Sequence, residues 1–275
     1  MAVDDNDMNL KVISGLLKRN KIFPDLAESG QQGIELAKKN FYDIIFLDNM
    51  MPVMNGIETF HKMRQEKILD DKTKVIMLTA SAIAGMRETY LREGFDDYLS
   101  KPIDVSELEK MLAKYLPADM IKYEDEESTK IVEVETKPEV VEEEPQTDSD
   151  TFSDAEKKKF AEQCPDINLE TGLRYCMDSK SFLIQMLTTF TDGKKADKIQ
   201  EKFEAGDWKN YQILVHALKS TSLSVGAENL SEQAKSLEMA AKNNSIEEIQ
   251  ANHADLMANY AKVRDEIAKW LGAGA

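Results

Sequence analysis

The chain has 275 residues, 42% of them hydrophobic and 31% charged, which suits about two domains and excludes wholesale disorder. Thirty-five Lys and Arg against 51 Asp and Glu leave a net charge of −16, which argues against a binder of nucleic acid or of an anionic membrane, since both need a basic patch. The two cysteines, Cys164 and Cys176, have neither disulfide-framework nor zinc-ligand spacing, so a reducing compartment is expected. No run of 18 apolar residues would span a membrane, and the acidic opening MAVDDNDMNL does not read as a signal peptide.

The first domain is expected over residues 1–117. Short apolar runs at 44–47 and 75–78 read as buried strands, and amphipathic stretches at 9–18, 33–39, 57–64, 86–92 and 105–116 read as helices. This alternation predicts a parallel sheet covered on both faces, with ligands at the carboxyl ends of its strands. Residues 119–150 carry 13 acidic and 3 basic side chains, a net of −10, so only −6 remains for the rest of the chain. Pro138 and Pro145 punctuate this stretch, and like-charge repulsion with little to bury predicts a flexible, disordered acidic linker over 118–150. The second domain, expected over 151–272, shows helical runs at 154–163, 180–204, 207–222, 228–242 and 245–271. Gly206, Gly226 and Asn243-Asn244 separate the later runs. In the last of them, Ile246, Ile249, His253, Leu256, Tyr260, Val263, Ile267 and Trp270 form one continuous seam, as in an antiparallel bundle.

Chemistry gathers at the predicted strand ends. Asp4-Asp5 and Asp48 would converge on one sheet edge, where each like-charge pair at ~4 Å and an effective dielectric of ~20 costs ~4 kcal/mol. Three such carboxylates call for a cation, and an all-oxygen set favours Mg²⁺. Thr79 and Lys101 end two further strands, and with the metal they make a cradle for a phosphoryl group. Taken singly, each has a plainer use: the acidic residues as helix caps, Lys101-Pro102 as a solvated turn.

The segments VDDN (3–6), DIIFLDNMMPVMNG (43–56), VIMLTASA (75–82) and YLSKPID (98–104) together resemble the receiver domain of two-component response regulators. The resemblance implies a doubly wound, flavodoxin-like fold with five strands and five helices. It implies that Asp48 is the phosphoacceptor, and that Asp5, Asp48 and the Met50 backbone carbonyl ligate Mg²⁺, with Asp4 acting through water. Thr79 and Tyr98 would be its switch pair and Lys101 its phosphate-contacting lysine, while Pro52 and Gly56 fall where the family turns its acceptor loop. One departure stands out. Only Met1-Ala2-Val3 precede the acidic pair, so the central first strand is short, as in a segment cut from a longer chain or a truncated, less stable domain. Pro24 is expected within the second strand, tolerable there at an edge.

Three histidines are present. His253 lies on the apolar seam and reads as a packed residue, and His61 as a surface one. At ~100° per residue, His216 lies about 135° from the core direction set by Trp208, Tyr211, Leu214, Val215 and Leu218, so it should face water beside Lys209, Lys219 and Ser220. An imidazole there could accept a phosphoryl group whose charge the lysines offset. The segment VHALKSTSLSVGAENL (215–230) resembles a histidine phosphotransfer (HPt) domain, a four-helix bundle; carried over, His216 is the phosphoacceptor, Lys219 its charge partner, and Ser220 the small residue that lets the phosphoryl group approach.

The two resemblances imply a phosphorelay: an upstream histidine kinase, Asp48, His216, then a downstream response-regulator receiver, with a receiver–HPt contact inside the molecule. The residues from Pro117 to Asp150 would span ~30–35 Å and allow that contact at an effective concentration of ~mM. No nucleotide-binding loop or kinase domain is evident, so the chain reads as the C-terminal part of a hybrid sensor histidine kinase, cytoplasmic or the cytoplasmic part of a membrane-bound one. A free-standing adaptor, a slow autophosphatase or phosphate sink, and a pseudo-receiver scaffold are the alternatives, so whether the chain is itself an enzyme stays open. A haloacid-dehalogenase-type hydrolase would want an Asp where Met50 stands.

Overall fold

A computed structural model of the chain describes residues 1–79, 86–117, 120–121 and 150–272. The expected linker falls outside them, apart from residues 120, 121 and 150, as do Ala80, Ser81 and Ala82 of the third quoted motif. Five strands, β1 (Ala2–Val3), β2 (Leu26–Ala27), β3 (Ile44–Asp48), β4 (Lys74–Thr79) and β5 (Asp97–Ser100), alternate with helices α1 (Asp7–Arg19), α2 (Gly30–Ala37), α3 (Gly56–Gln65), α4 (Met86–Glu93) and α5 (Val105–Tyr115). The strands pair in parallel in the order β2-β1-β3-β4-β5. Their alternating residues serve both faces. Phe46, Ile76, Leu78 and Leu99 pack with residues of α1 and α5, whereas Ile45, Leu47, Val75 and Met77 pack with residues of α2, α3 and α4.

Short as it is, β1 is held on both sides. The Ala2 and Asp4 amides donate to the Asp25 and Ala27 carbonyls at 2.9 and 3.0 Å, and the Phe46 amide donates to the Met1 carbonyl at 2.9 Å. Ala2 and Val3 are fully buried. The edge strand β2 begins at Leu26, so Pro24 lies just before the strand, where its missing N–H costs the ladder nothing.

The helical half comprises α6 (Asp154–Gln163), α7 (Leu169–Tyr175), α8 (Lys180–Phe190), α9 (Lys194–Glu204), α10 (Trp208–Ser224), α11 (Glu228–Lys242) and α12 (Ile246–Gly272). α8 with α9, α10, α11 and α12 make the bundle, with α6 and α7 packed against α12 and α10. The single helix expected over 180–204 is two. It breaks at Thr191, whose carbonyl accepts from Arg264 Nη2 at 3.0 Å, and Asp192 then accepts from the Lys194 amide at 3.2 Å to start α9. α7, absent from the sequence reading, is capped by Asn168, whose side chain accepts from the Glu170 and Thr171 amides. On α12, Ile249, His253, Leu256, Tyr260, Val263, Ile267 and Trp270 are buried, the seam that the 3-4 spacing describes. The bundle lies against the α1 side of the receiver-like half, where α1 packs on α8 and α10. Among the described residues no helix is long and apolar enough to cross a membrane.

Candidate functional site

Parallel strands deliver their C-terminal residues to one edge, and β1, β3, β4 and β5 there bring together Asp4, Asp5, Asp48, Thr79 and Lys101. Asp4, Asp5 and Asp48 can each offer an oxygen within 4.8 Å of the others. Lys101 Nζ ion-pairs with Asp4 Oδ2 and donates to Asp48 Oδ1 at 2.5 Å, its side chain only 4% exposed. Asp4 also accepts from the Asn6 amide at 2.9 Å and from Asn9 Nδ2 at 3.1 Å, which occupies both of its oxygens. Asp48 Oδ2 accepts from the Met50 amide at 3.0 Å.

The electrostatics reflect crowding. Burial, then the neighbouring charges of Asp4 and Asp48, push Asp5 up to about 7, with Lys101 and Lys195 opposing. Burial likewise raises Asp4, though Lys101 pulls against it. Ionised together, the three carboxylates would outnumber the one lysine between them, which is why Asp4 and Asp5 resist ionisation until a cation joins them.

The loop after β3 is fixed by Gly56. A Cβ there would stand 2.2 Å from the Asp48 carbonyl oxygen, and the Gly56 amide donates to the Asn49 carbonyl at 3.1 Å. Asn55 and Glu58 then close a capping box on α3. Gly56→Ala is expected to lower the unfolding free energy by about 1–3 kcal/mol, read from urea titrations, because the clashing atom is backbone and cannot swing aside.

The remaining expected residues sit as follows. Thr79 Oγ1 shares a hydrogen bond with the Tyr90 hydroxyl at 3.2 Å, a residue of α4 that the sequence reading did not single out. Tyr98 is half-buried on β5, opposite Met77 in the ladder. His216 corrects its expectation: it does not face water but is 7% exposed. Its side chain is still away from the bundle interior of Tyr211, Val215 and Leu218. Glu238 of α11 lies against it, and His216 and Asp48 line one cavity of about 660 Å³ together with Met50, Tyr90, Lys209 and Glu238.

Glu238, on α11, was also missed, and it organises the histidine. Its Oε1 lies 2.7 Å from His216 Nδ1, and its Oε2 accepts from Lys219 Nζ at 2.5 Å. Lys219, expected beside an incoming phosphoryl group, is thus paired with a carboxylate. Burial alone would raise Glu238, but the imidazole and Lys219 outweigh it and hold the carboxyl at about 2. Ser220 is buried, and Ser231 Oγ, which donates to the Lys219 carbonyl at 2.9 Å, ties α10 to α11. His253 packs as expected, stacked on Phe203 at 3.7 Å and bonded to Tyr211 and Gln200.

Residues 1–113 match the family of the response regulator receiver domain, and residues 185–270 match the family of the Hpt domain. The Signal transduction histidine-protein kinase BarA of Escherichia coli (strain K12) is 41% identical over 124 residues, 44% of this chain and 13% of that protein. The Aerobic respiration control sensor protein ArcB of the same strain is 30% identical over 141 residues, 51% of this chain and 18% of that protein. The chain thus spans less than a fifth of the length of these relatives. Among solved structures, the receiver domain of the sensor histidine kinase PA1611 from Pseudomonas aeruginosa PAO1, with a magnesium ion coordinated in its active site cleft, aligns at 32% identity and a TM-score of 0.37, covering 42% of this chain and 93% of that one.

Proposed function

We propose that the chain, whose residues 1–113 match the response regulator receiver domain and residues 185–270 the Hpt domain, relays a phosphoryl group between Asp48 and His216 of the same molecule. The observation that carries this reading is the single cavity lined by both acceptors. Asp4, Asp5 and Asp48 fit a hard divalent cation: all ligands are oxygen, the oxygens lie within 4.8 Å of one another, and ionised together they outnumber the one lysine among them. Asp4 is already saturated by Lys101, Asn6 and Asn9, which leaves Asp5 and Asp48 as the direct ligands, with the Met50 carbonyl the expected third. Bound there, Mg²⁺ supplies positive charge that offsets the charge of the phosphoryl oxygens.

The residues of the chain do the rest. Lys101 holds Asp48 and supplies a cation to the phosphoryl group, and the Thr79 hydroxyl donates to one of its oxygens. Glu238 is an ionised carboxylate and can only accept, so it fixes the His216 proton on Nδ1 and leaves Nε2 with its lone pair. In the transfer the P–O bond to Asp48 breaks as the P–N bond to Nε2 forms, and Asp48 returns to a carboxylate. Lys209, in the same cavity, provides further positive charge. Similarity to BarA and ArcB supports a place within a hybrid sensor kinase; in this reading the chain is its C-terminal part on the cytoplasmic side, with a kinase histidine upstream and a receiver aspartate downstream.

The test follows acid-labile and base-labile phosphate after treatment with a small phosphodonor and Mg²⁺. Wild type should show both, Asp48→Asn neither, and His216→Gln only the aspartyl form; identical labelling in all three chains would overturn the relay. A tenfold dilution should leave the transfer rate unchanged.

The contact between the halves also centres on Gly15. A Cβ at this mid-helix position would stand 2.9 Å from Met177 Cε and 3.2 Å from Phe182 Cζ of the bundle. Glycine there costs α1 about 1 kcal/mol relative to alanine, a cost explained by the close approach. Gly15→Leu is expected to weaken docking by about 1–3 kcal/mol and to slow the intramolecular step, measured by quenched-flow phosphate labelling, while leaving Asp48 labelling intact.

A further inference from the structure

Lys195 belongs to the bundle, yet it reaches the acidic edge of the other half. Its Nζ donates to Asn6 Oδ1 at 3.4 Å, next to Asp5 in the chain. It sits in the field of Asp5, Asp4 and Asp7, and a cavity of about 240 Å³ between the halves is lined by Asp5, Asn6, Lys195 and Lys198. Close by, Lys11 Nζ donates to Thr189 Oγ1 at 3.2 Å across the same contact. The relay chemistry uses neither lysine.

The charge count at the acceptor gives Lys195 a meaning. With all three carboxylates ionised, as a bound cation requires, they and Lys101 sum to −3 + 1 = −2. A divalent cation brings that to 0; Asp7, the other carboxylate near Lys195, is already paired with Lys11 at 2.8 Å, so Lys195 then adds a net positive charge. An aspartyl phosphate carries roughly −2 where Asp48 carried −1. The metal-loaded, phosphorylated site is therefore at about −1, and Lys195 neutralises it.

Resting on the reading of Asp48 as a metal-dependent acceptor, we propose that Lys195 makes docking of the helical half depend on the charge of that acceptor. Docking is favoured while the site is empty of metal or phosphorylated, and disfavoured when the metal alone fills it. The helical half is thereby held for transfer and released afterwards, free to meet the next receiver. By linkage, Lys195 must also weaken metal binding at the unphosphorylated site.

The experiment titrates Mg²⁺ into the full chain by calorimetry and follows the radius of gyration by small-angle X-ray scattering. Lys195→Gln is expected to bind Mg²⁺ about threefold or more tightly than wild type. Lys195→Arg should match wild type, and Lys198→Gln, which removes an equal charge one turn away, should stay within about twofold. Mg²⁺ should expand wild type but not Lys195→Gln, and a small phosphodonor added to His216→Gln with Mg²⁺ should compact it again. Equal Mg²⁺ affinities in wild type and Lys195→Gln would overturn the inference and leave the relay standing. Absence of Mg²⁺ binding, or binding indifferent to Asp48→Asn, would overturn the metal reading and this inference with it.

Discussion

Replacing Lys101 by methionine is expected to lower the unfolding free energy of the receiver half by about 3–5 kcal/mol in metal-free buffer, and Mg²⁺ is expected to restore part of that loss. The lysine side chain is buried between Asp4 and Asp48. Removing its charge leaves three carboxylates, two of them almost wholly buried, facing one another across a few ångströms. Burial opposes the ammonium, but the two carboxylates more than offset it and raise Lys101 above its ordinary value of 10.5. A group whose folded pKa is raised stabilises fully below its unfolded value, so this contribution is complete at neutral pH and fades only as the pH climbs past about 10.5. Urea titrations of wild type and Lys101→Met, with and without Mg²⁺, make the measurement. A loss under about 1 kcal/mol without metal would mean that the pair behaves as a surface ion pair and does not hold the acidic edge together.

That edge is legible in the sequence because a parallel sheet does the gathering. Once 44–47 and 75–78 read as buried strands, Asp48, Thr79 and Lys101 must end up near Asp4-Asp5 however the helices pack. The partners that escaped the reading all come from elements the helical wheel or strand pattern cannot relate. The wheel of α10 sets His216 apart from the bundle interior, which the structure shows, but it contains no information about what covers that side. Glu238 comes from α11, and the loop after Asp48 comes from the other half of the chain. Tyr90 reaches Thr79 from α4, across a loop whose path no periodicity specifies. The break between α8 and α9 had a signal, the Thr191-Asp192-Gly193 run, but an apolar pattern continuing on both sides masked it. Gly15 was passed over for a related reason: glycine inside an amphipathic helix looks like a blemish until the neighbour that needs the space is known.

Glu238→Ala is expected to slow phosphoryl exchange at His216 on the order of 10–100-fold while leaving phosphorylation of Asp48 by a small phosphodonor unchanged. The carboxylate does two things that alanine cannot. It accepts a hydrogen bond from Nδ1 at 2.7 Å, which fixes the tautomer with Nε2 free, and it holds Lys219 at 2.5 Å on the same face of the helix pair. Glu238→Gln separates the two. Its amide oxygen can still accept from Nδ1, so the tautomer survives, while its NH2 turns a donor toward Lys219 and that hydrogen bond and ion pair are lost; the loss should be smaller than for alanine. The pH dependence follows from the same contacts. Glu238 is held at about 2 against an ordinary 4.5, so its stabilisation is present above about 4.5 and is lost as the pH falls toward 2. Between those values the alanine variant should lose less stability on acidification than wild type does. Equal transfer rates in wild type, Glu238→Gln and Glu238→Ala would show that His216 needs no partner on α11, and that its burial beside Asp48 alone suffices for the exchange.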